Sequence, residues 1–311
     1  MQVLDASTQK LSQKTAVALG MFDGVHIGHK TVIQFAVDYA KTNNIKSAVI
    51  TLANHPRKLT QGKAPDLITD LNARLEIFEE LGVDYVLVLN FDEELMNTSA
   101  EEYLQKYLLD TLNAEFISTG YDHHFGKNRS GSIEMLKIWA ERRNIQLVVV
   151  GEVDMGNEKI SSSKIRQLIH AGNIKEANQL LGHKFKIISK VVKGKKQGTQ
   201  IGFPTANLKL PEDTIIPANG VYSGNCSIEG ISGNFRCAVN IGVRPSFDDG
   251  TYKSIETHIL DFDQDIYGKT LHLELEDRIR DEKKFDSLDD LKKQIKEDIL
   301  LSSRGGRSPT S

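Results

Sequence analysis

The sequence predicts an α/β protein of two domains, the first built on a parallel sheet and the second mainly of β-strands. At 311 residues the chain exceeds the usual size of a single hydrophobic core. In the first half, five short β-prone runs alternate with four helical ones, as in right-handed βαβ units. After Gly182 the segments become short and β-prone, which is typical of a closed barrel or a sandwich. We therefore place the domains at residues 1–182 and 183–303, with a disordered tail at 304–311.

The composition predicts a cytoplasmic protein that binds neither membrane nor nucleic acid. Hydrophobic residues make up 39% and charged residues 26% of the chain, as in ordinary globular proteins. No apolar run approaches the roughly 18 to 20 residues that span a bilayer, and the N-terminus lacks the pattern of a signal peptide. The net charge of −3 gives no general attraction to nucleic acid, so any phosphate binding must be local. Cys226 and Cys237 are expected to be buried thiols, and the sequence does not indicate the oligomeric state.

The elements of the first domain follow from hydrophobic periodicity and capping residues. Strands are expected at 16–19, 47–52, 85–89, 115–119 and 146–150. A helix over 30–42 has apolar residues at a 3.6-residue period. Asp70 can cap a helix that ends at Gly82, and Ser99 with Glu102 predicts a capping box for the next helix. Further helices are expected at 132–143, after Ser161, and at 173–181.

Polar residues gather where these strands end. They occupy the segments 22–29, 53–57, 120–127 and 152–166. Ligands of parallel sheets bind outside the carboxyl ends of the strands. Any single polar loop residue is ordinary, but the convergence of four loops on one edge predicts a binding site there.

The segment AVALGMFDGVHIGH, at residues 16–29, is the first of these polar ends. Gly24 and Gly28 let the backbone approach a ligand closely, and His26 and His29 stand just before a helix whose N–H groups suit an anion. A nucleoside triphosphate fits this arrangement. On spacing alone, two surface histidines are an equally good interpretation. A zinc site is disfavoured because neither HExxH nor a nearby cysteine is present.

The segment ISSSKIR, at residues 160–166, predicts a second phosphate contact. Hydroxyl groups at a helix N-terminus usually cap its N–H groups. Lys159 before the segment and Arg166 within it add charge, so the segment can also hold a pyrophosphate. We favour phosphate binding over simple capping because the segment follows the last sheet strand.

These two motifs resemble those of the HxGH nucleotidyltransferases, and GMFDGVHIGH is most similar to the form in bacterial FAD synthetases. The resemblance implies a Rossmann-like domain that transfers an adenylyl group from ATP to FMN and releases pyrophosphate. It implies that His26 and His29 donate to the α-phosphate, and that Ser162, Ser163 and Arg166 hold the leaving phosphates. The other residues assigned to ATP are Phe22, Asp23, Gly24, Gly28 and Lys159, with a turn-forming role for Asp23 equally open.

The flavin side of this first site is expected to involve three residues. They are Asn54, His55 and Asp122, the last of which could instead serve magnesium. Two departures from the family pattern fall in these loops. His123 and His124 stand where the family has Phe and usually Arg, and LANHP replaces the frequent FxPHP.

The second domain carries the segment GFPTAN, at residues 202–207, which resembles the motif of riboflavin kinases. The lysine- and glycine-rich loop before it is no Walker A motif, and alone it is more typical of a solvated turn. The resemblance assigns Thr205 and Asn207 to magnesium–ATP. The residues assigned to ATP binding in this loop are Lys195, Gly198, Gly202 and Pro204.

Glu256, in the segment SIETH, is the candidate base of this second site. A glutamate on a strand usually faces solvent, but phosphoryl transfer to a hydroxyl needs a carboxylate that accepts its proton. The resemblance assigns that role to Glu256 and places Arg280 on the flavin side. A final helix is expected to close a barrel with one apolar face, formed by Leu288, Leu291, Ile295 and Ile299.

Together the motifs identify the chain as a member of the bifunctional riboflavin kinase/FAD synthetase family. Its ligands would be riboflavin, FMN, FAD and ATP, with Mg2+ in both steps. One alternative is a nucleotidyltransferase for another phosphorylated acceptor, with a barrel that only binds. Another is a non-catalytic flavin-sensing or RNA-binding regulator, which the lack of a basic, aromatic-rich pattern disfavours.

Overall fold

The computed structural model describes residues 1–156, 158–194, 198, 201–209, 213–245 and 251–303. The chain divides into two compact units. The first comprises residues 1–67 and 74–162, and the second comprises residues 68–73 and the chain from Ser163 onward. The predicted tail lies outside the described residues, and the predicted boundary at 182 stays a prediction.

A six-stranded parallel sheet forms the first unit, which confirms the predicted doubly wound architecture. The spatial order is β1-β4-β3-β2-β5-β6. The chain runs from β2 to β3 and β4 on one side, and then crosses to β5 and β6 on the other. The crevice at the carboxyl end of β2 is therefore the switch point at which such sheets bind ligands. The strands are β1 (Gln2–Leu4), β2 (Thr15–Leu19), β3 (Lys46–Leu52), β4 (Tyr85–Leu89), β5 (Ala114–Gly120) and β6 (Gln146–Val150). Strand β1 was not predicted.

The sheet is covered on both faces, as parallel sheets require. Successive residues of β2 alternate between the two cores. Ala16 and Ala18 belong to one core, with the helices α1 (Ile27–Asn43) and α3 (Leu71–Glu80). Val17 and Leu19 belong to the other core, with Trp139 of α6 (Ile133–Glu141). This packing fixes β2, and with it the segment that follows.

Helix α1 begins earlier than predicted, at Ile27, so His29 lies in its first turn. The capping box of Ser99 and Glu102 is confirmed, but the helix it starts continues as a π-helix over Leu104–Thr111. The remaining short segments of this unit are α2 (Pro56–Gln61), α4 (Glu93–Asn97), α5 (Ala100–Tyr103), a 3-10 turn (Lys127–Arg129) and the hairpin β7 (Asp154–Met155) and β8 (Glu158–Lys159). Within the ranges described, no helix is long and apolar enough to cross a membrane.

The second unit contains a closed antiparallel barrel with the strand order β10-β13-β12-β11-β14-β9. The strands are β9 (Phe185–Val192), β10 (Ala206–Leu208), β11 (Gly220–Ile228), β12 (Ile231–Pro245), β13 (Thr251–Ile259) and β14 (Thr270–Arg280). Helices α7 (Ser162–Ala171) and α8 (Ile174–Leu181) precede it. The Asn178 side chain attaches α8 to the barrel, since it donates to the Leu275 carbonyl at 2.9 Å and accepts the Phe185 N–H at 2.7 Å. Of the two predicted β architectures, the barrel is confirmed.

In the final helix, α9 (Leu288–Ser303), polar residues are the fully buried ones, while the predicted apolar face is half-buried at Leu291, Ile295 and Ile299. The buried residues of the helix are Asp298 and Ser302, whereas Leu288 is 63% exposed. Asp298 accepts two hydrogen bonds from Arg280 of β14, at 2.9 and 2.6 Å. The Ser302 carbonyl accepts the guanidinium of Arg236 at 3.0 Å. The predicted helix is confirmed, and its carboxylate and carbonyl anchors are additional contacts that were not predicted.

We expect Asp298→Ala to destabilise the second unit by about 3 kcal/mol, because it leaves the Arg280 guanidinium buried without its counter-charge. Chemical denaturation followed by circular dichroism measures the change. Asp263→Ala, at an exposed aspartate between β13 and β14, is the matched control and should change stability by less than about 0.5 kcal/mol. Equal stability of the two variants would show that the ion pair does not hold α9.

Candidate active sites

The segment after β2 is a strained turn inside the first unit. Phe22 has φ 54° and Val25 has φ 38°, both in the left-handed region that bulky side chains avoid. Each such residue costs on the order of 1 to 3 kcal/mol and persists only where its surroundings hold it. Both side chains are buried in the core, and the Val25 N–H donates to the Phe22 carbonyl at 3.0 Å. Gly24, at φ 81°, supplies the remaining left-handed residue without a side-chain penalty.

Arg74 of α3 holds the beginning of this turn. Its side chain is fully buried, with 0% exposure. Nη1 donates to the Met21 carbonyl at 3.1 Å and to the Leu52 carbonyl at 2.8 Å. It also contacts the Thr51 hydroxyl at 3.1 Å, and that hydroxyl donates to Met21 at 2.8 Å. One guanidinium therefore ties the chain leaving β2 to the chain leaving β3.

His26 and His29 form a stacked pair at the start of α1. Their ring centroids are 3.6 Å apart and the planes differ by 17°. His26 is the N-cap, and its Nδ1 accepts the His29 N–H at 3.3 Å. Because Nδ1 accepts, the proton of a neutral His26 lies on Nε2, which makes that atom a donor.

Burial is the main cause that holds the pKa of His29 well below its usual value, and the neighbouring His26 and the Arg74 guanidinium lower it further. His29 is therefore neutral at pH 7. The edge of Phe22 packs against the His29 ring, with centroids 5.4 Å apart. Among the described residues, the buried Nδ1 of His29 has no hydrogen-bond partner. A neutral His29 can act on a ligand through hydrogen bonds but not as a cation.

The start of α7, which carries the segment ISSSKIR, is hydrogen-bonded to the turn that follows β2. The Ser162 hydroxyl donates to the carbonyl of Asp23, a 3%-exposed residue, at 3.1 Å. Gly28 is also tightly placed, since a Cβ there would lie 3.3 Å from the His26 ring. The structure therefore brings Asp23, both histidines and Ser162 together. Ser163 and Arg166 follow in the first two turns of α7.

Lys159 has local partners beside this turn. Its Nζ forms an ion pair with Glu152 and donates to the Tyr121 hydroxyl at 2.7 Å. These two bonds raise the pKa of Lys159, so the ammonium group stays charged. The surface is exposed, so a phosphate that binds Lys159 competes with the Glu152 carboxylate in a solvated setting.

Asn54 and His55, expected near the flavin, both have structural bonds. The Asn54 amide donates to the Phe91 carbonyl at 3.0 Å and accepts the Phe91 N–H at 2.7 Å, which joins the loops after β3 and β4. His55 is the N-cap of α2, and its Nδ1 accepts the Arg57 N–H at 3.1 Å. Flavin contact by either residue stays a prediction. The bonds of Asn54 to Phe91 give Asn54 a structural role, because they join the loops after β3 and β4.

The loop after β5 exposes Asp122 and partly buries His123. The His123 ring stacks on Phe125 with centroids 5.8 Å apart. Burial lowers the pKa of His123 to about 4, and no described residue bonds its Nε2. His123 therefore replaces the expected phenylalanine as a neutral packing ring, next to the Asp122 carboxylate.

In the barrel, three polar side chains lie in one row across three strands. Asn207 of β10 pairs with Glu256 of β13, and Glu256 pairs with Asn240 of β12. Thr205 precedes β10, and its hydroxyl donates to Glu256 Oε2 at 3.3 Å. The structure thus places the predicted base, Glu256, beside the predicted magnesium ligands Thr205 and Asn207. Together these three side chains form an oxygen-rich cluster on the barrel.

The turn that leads into β10 is fixed by backbone bonds. The Phe203 N–H donates to the Gly198 carbonyl at 2.8 Å, and a Cβ on Gly198 would lie 2.3 Å from the Phe203 carbonyl oxygen. His258 Nδ1 donates to the Pro204 carbonyl at 2.7 Å. Gly202 has φ 89°, a conformation that favours glycine. These bonds position Thr205, whereas Lys195 lies outside the described residues.

Arg280 lies in the same paired row, two strands beyond Asn240, because Val221 of β11 pairs with both residues. Its guanidinium is committed to Asp298, and it also donates to the Asp281 carbonyl at 2.8 Å. The predicted flavin contact of Arg280 stays a prediction, because the bonds seen here attach α9.

Sequence reasoning missed Arg74 and Asn240. Arg74 lies in α3 one turn after Leu71 and one turn before Phe78, so it shares a helix face with these apolar residues. A cation among apolar positions was the available signal for a buried role. Asn240 carries no local signal, because only the strand register places it beside Glu256.

The two units define a two-site protein. One unit has a histidine pair at the switch point of a parallel sheet, and the other has a threonine–glutamate pair on a closed barrel. The family model described as FAD synthetase matches residues 8–164, and the model described as riboflavin kinase matches residues 181–304.

Relatives match over almost the whole chain. A bifunctional riboflavin kinase/FMN adenylyltransferase of Haemophilus influenzae is 34% identical, with 94% of each chain covered. The Bacillus subtilis protein of the same name is 35% identical over 92% of this chain and 90% of its own. A crystal structure described as a macrolide-efflux protein from Streptococcus pneumoniae is 33% identical, with TM-score 0.86 over 97% of this chain and 99% of that one. The chain therefore belongs to the bifunctional riboflavin kinase/FMN adenylyltransferase family.

Because burial depresses the pKa of His123 to about 4, the first unit should lose stability as the pH falls below about 6.5, where the unfolded histidine gains its proton. Between pH 7 and pH 5 we expect a loss of about 1 to 2 kcal/mol from His123, to which His29 adds in the same direction. His123→Phe removes its share and keeps the stacking. Urea unfolding followed by the fluorescence of Trp139, the one tryptophan, measures the effect.

His124→Phe is the matched control, since His124 is exposed, and it should keep the pH dependence of the wild type. A His123→Phe protein that loses as much stability as the wild type between pH 7 and pH 5 would contradict the assignment.

Proposed function

We propose that the protein phosphorylates riboflavin to FMN with ATP and then transfers an adenylyl group from a second ATP to FMN, forming FAD and pyrophosphate. The observation that carries the proposal is the tandem match of two family models, each over one of the two sites. Both steps use ATP, and we assign Mg2+ as their metal. The cytoplasmic location stays a prediction.

In the kinase step, the oxygen of the ribityl 5′-hydroxyl attacks the γ-phosphorus of ATP, and Glu256 accepts the proton of that hydroxyl. The bond between that phosphorus and the β-bridging oxygen breaks, and ADP leaves. The Thr205 hydroxyl donates to one oxygen of the Glu256 carboxylate at 3.3 Å, which helps to fix the orientation of the base. Positioning and charge neutralisation supply most of the catalysis in such reactions.

The kinase residues fit a magnesium ion by their chemistry. Mg2+ prefers hard oxygen ligands and takes few of them from the protein, because substrate phosphates and water supply the rest. The Thr205 hydroxyl and the Asn207 side chain on one edge of Glu256 would hold it. When bound, the ion would neutralise charge on the ATP phosphates.

In the adenylyl step, a phosphate oxygen of FMN attacks the α-phosphorus of ATP, and the bond to the leaving pyrophosphate breaks. No protein nucleophile is needed. His26 Nε2 and His29 donate hydrogen bonds to the α-phosphate, where their neutral, fixed rings require no reorganisation. Ser162, Ser163 and Arg166 hold the leaving phosphates. Phe22, Asp23, Gly24 and Gly28 shape the turn that ATP approaches, and Lys159 binds a phosphate in place of Glu152.

Other functions lack comparable support. The kinase model covers the barrel, so a barrel that merely binds flavin has less support than a catalytic one. The description macrolide efflux belongs to the Streptococcus protein. Both matched family models name flavin enzymes, and the proposal follows them.

Glu256→Gln should lower riboflavin phosphorylation by about 10²- to 10⁴-fold, since it removes the proton acceptor but keeps the shape. His29→Ala should lower FMN adenylylation by about 10²- to 10³-fold, as expected for loss of a preorganised donor. Each variant should keep the other activity near the wild-type rate, so each is the control for the other. Chromatography of FMN, FAD and ADP, with a pyrophosphate assay, measures both steps. If both variants lost both activities equally while folded, the division of labour would be wrong.

A further inference from the structure

We propose that Asn240 binds a hydroxyl of the acceptor's polyol chain, next to the hydroxyl that is phosphorylated. The inference rests on the proposed kinase function and extends its site by one substrate-binding residue. The register of the barrel strands places Asn240 beside the proposed base. Glu256 pairs with Asn207 of β10 on one side and with Asn240 of β12 on the other. Directly opposed residues have Cβ atoms about 4.5 to 5.5 Å apart and share a face of the sheet.

The burial pattern shows which face this is. On β12 the neighbours Val239 and Ile241 are fully buried, and Asn240 between them is partly exposed. On β13 the neighbours Ile255 and Thr257 are buried and Glu256 is partly exposed. The row of Asn207, Glu256 and Asn240 therefore faces away from the barrel core, on a face that a ligand can reach.

Two polar groups on this face have no protein partner among the described residues. The side-chain amide of Asn240 makes no hydrogen bond to any described residue. The Ser254 hydroxyl, two residues before Glu256 on the same face, is 7% exposed and also without a partner. Unpaired buried polar groups are costly, and a bound ligand is one way to satisfy them. Ser254 pairs with Gly242, which lies two residues beyond Asn240.

The order of the row assigns Asn240 to the acceptor side. Thr205 and Asn207, on one side of Glu256, are the proposed nucleotide and metal ligands. In an in-line phosphoryl transfer the entering and leaving oxygens lie on opposite sides of the phosphorus. Glu256 lies between Asn207 and Asn240 in the row. The nucleotide therefore occupies the side of Asn207, and the acceptor occupies the side of Asn240. Polar groups continue there, because the Glu282 carboxylate lies against Gly242 and accepts the Asn219 amide at 3.0 Å.

A neutral amide suits a polyol. It offers both a donor and an acceptor, and each hydroxyl of a sugar alcohol does the same. A site built to hydrogen-bond a hydroxyl also discriminates against an analogue that lacks it. Asn240 should therefore recognise one particular hydroxyl of the ribityl chain.

The test is steady-state kinetics of riboflavin phosphorylation by full-length Asn240→Ala. We expect the KM for riboflavin to rise about 3- to 10-fold, the loss expected for one hydrogen bond. The KM for magnesium–ATP and the rate of FMN adenylylation should stay within twofold of wild type. Asn234→Ala is the matched control, because Asn234 lies exposed on the same strand. If Asn240→Ala fails to fold, as judged by its melting temperature, Asn240→Ser replaces it and is expected to show a smaller rise.

Riboflavin analogues that each lack one ribityl hydroxyl identify the contact. One of them should be a poorer substrate than riboflavin for the wild type, and Asn240→Ala should no longer distinguish the two. An unchanged KM for riboflavin, an equal rise in the KM for ATP, or undiminished discrimination would overturn the inference and leave the kinase function standing. A wild-type protein that does not phosphorylate riboflavin would overturn both.

Discussion

The first site depends on one buried cation. Removing a guanidinium from water costs several kcal/mol, and Arg74 has 0% exposure. Carbonyl groups at the ends of β2 and β3 offset that cost, since Met21 and Leu52 both accept its hydrogen bonds. Their fixed positions allow the next residues to hold left-handed conformations that would otherwise relax. The strained turn in turn sets the N-cap of α1, and therefore the stacked histidine pair.

The second site depends on a different constraint, the register of an antiparallel barrel. Glu256 has no special backbone conformation and lies mid-strand. Its neighbours are set by which residues oppose it, Asn207 on one side and Asn240 on the other. A shift of one residue in either strand would turn these side chains into the core. The buried neighbours Ile241, Ile255 and Leu208 prevent that shift, so the core specifies the site.

Much of this could be predicted from sequence, because both sheets have clear periodicity and the site motifs are contiguous. The parallel sheet, the barrel and the joining of Asp23, His26, His29 and Ser162 follow from local signals. The bonds of Asn54 to Phe91 and of Arg280 to Asp298 could not be predicted, because each connects segments that are distant in the chain. The polar attachment of α9 was missed for the same reason. Its apolar stripe is half-buried, and the Asp298 carboxylate, paired with Arg280 of β14, adds an anchor that the stripe does not indicate.

Under the proposed function, one chain carries out two chemically distinct ATP-dependent steps, γ-phosphoryl transfer to riboflavin and adenylyl transfer to FMN. Isotopic labelling tests it most directly, with the full-length protein, riboflavin and ATP labelled at either the γ- or the α-phosphate. We expect the γ-label to appear in FMN, whereas the α-label appears in FAD and never in FMN. Label from the α-phosphate in FMN, or no label in either flavin, would contradict it.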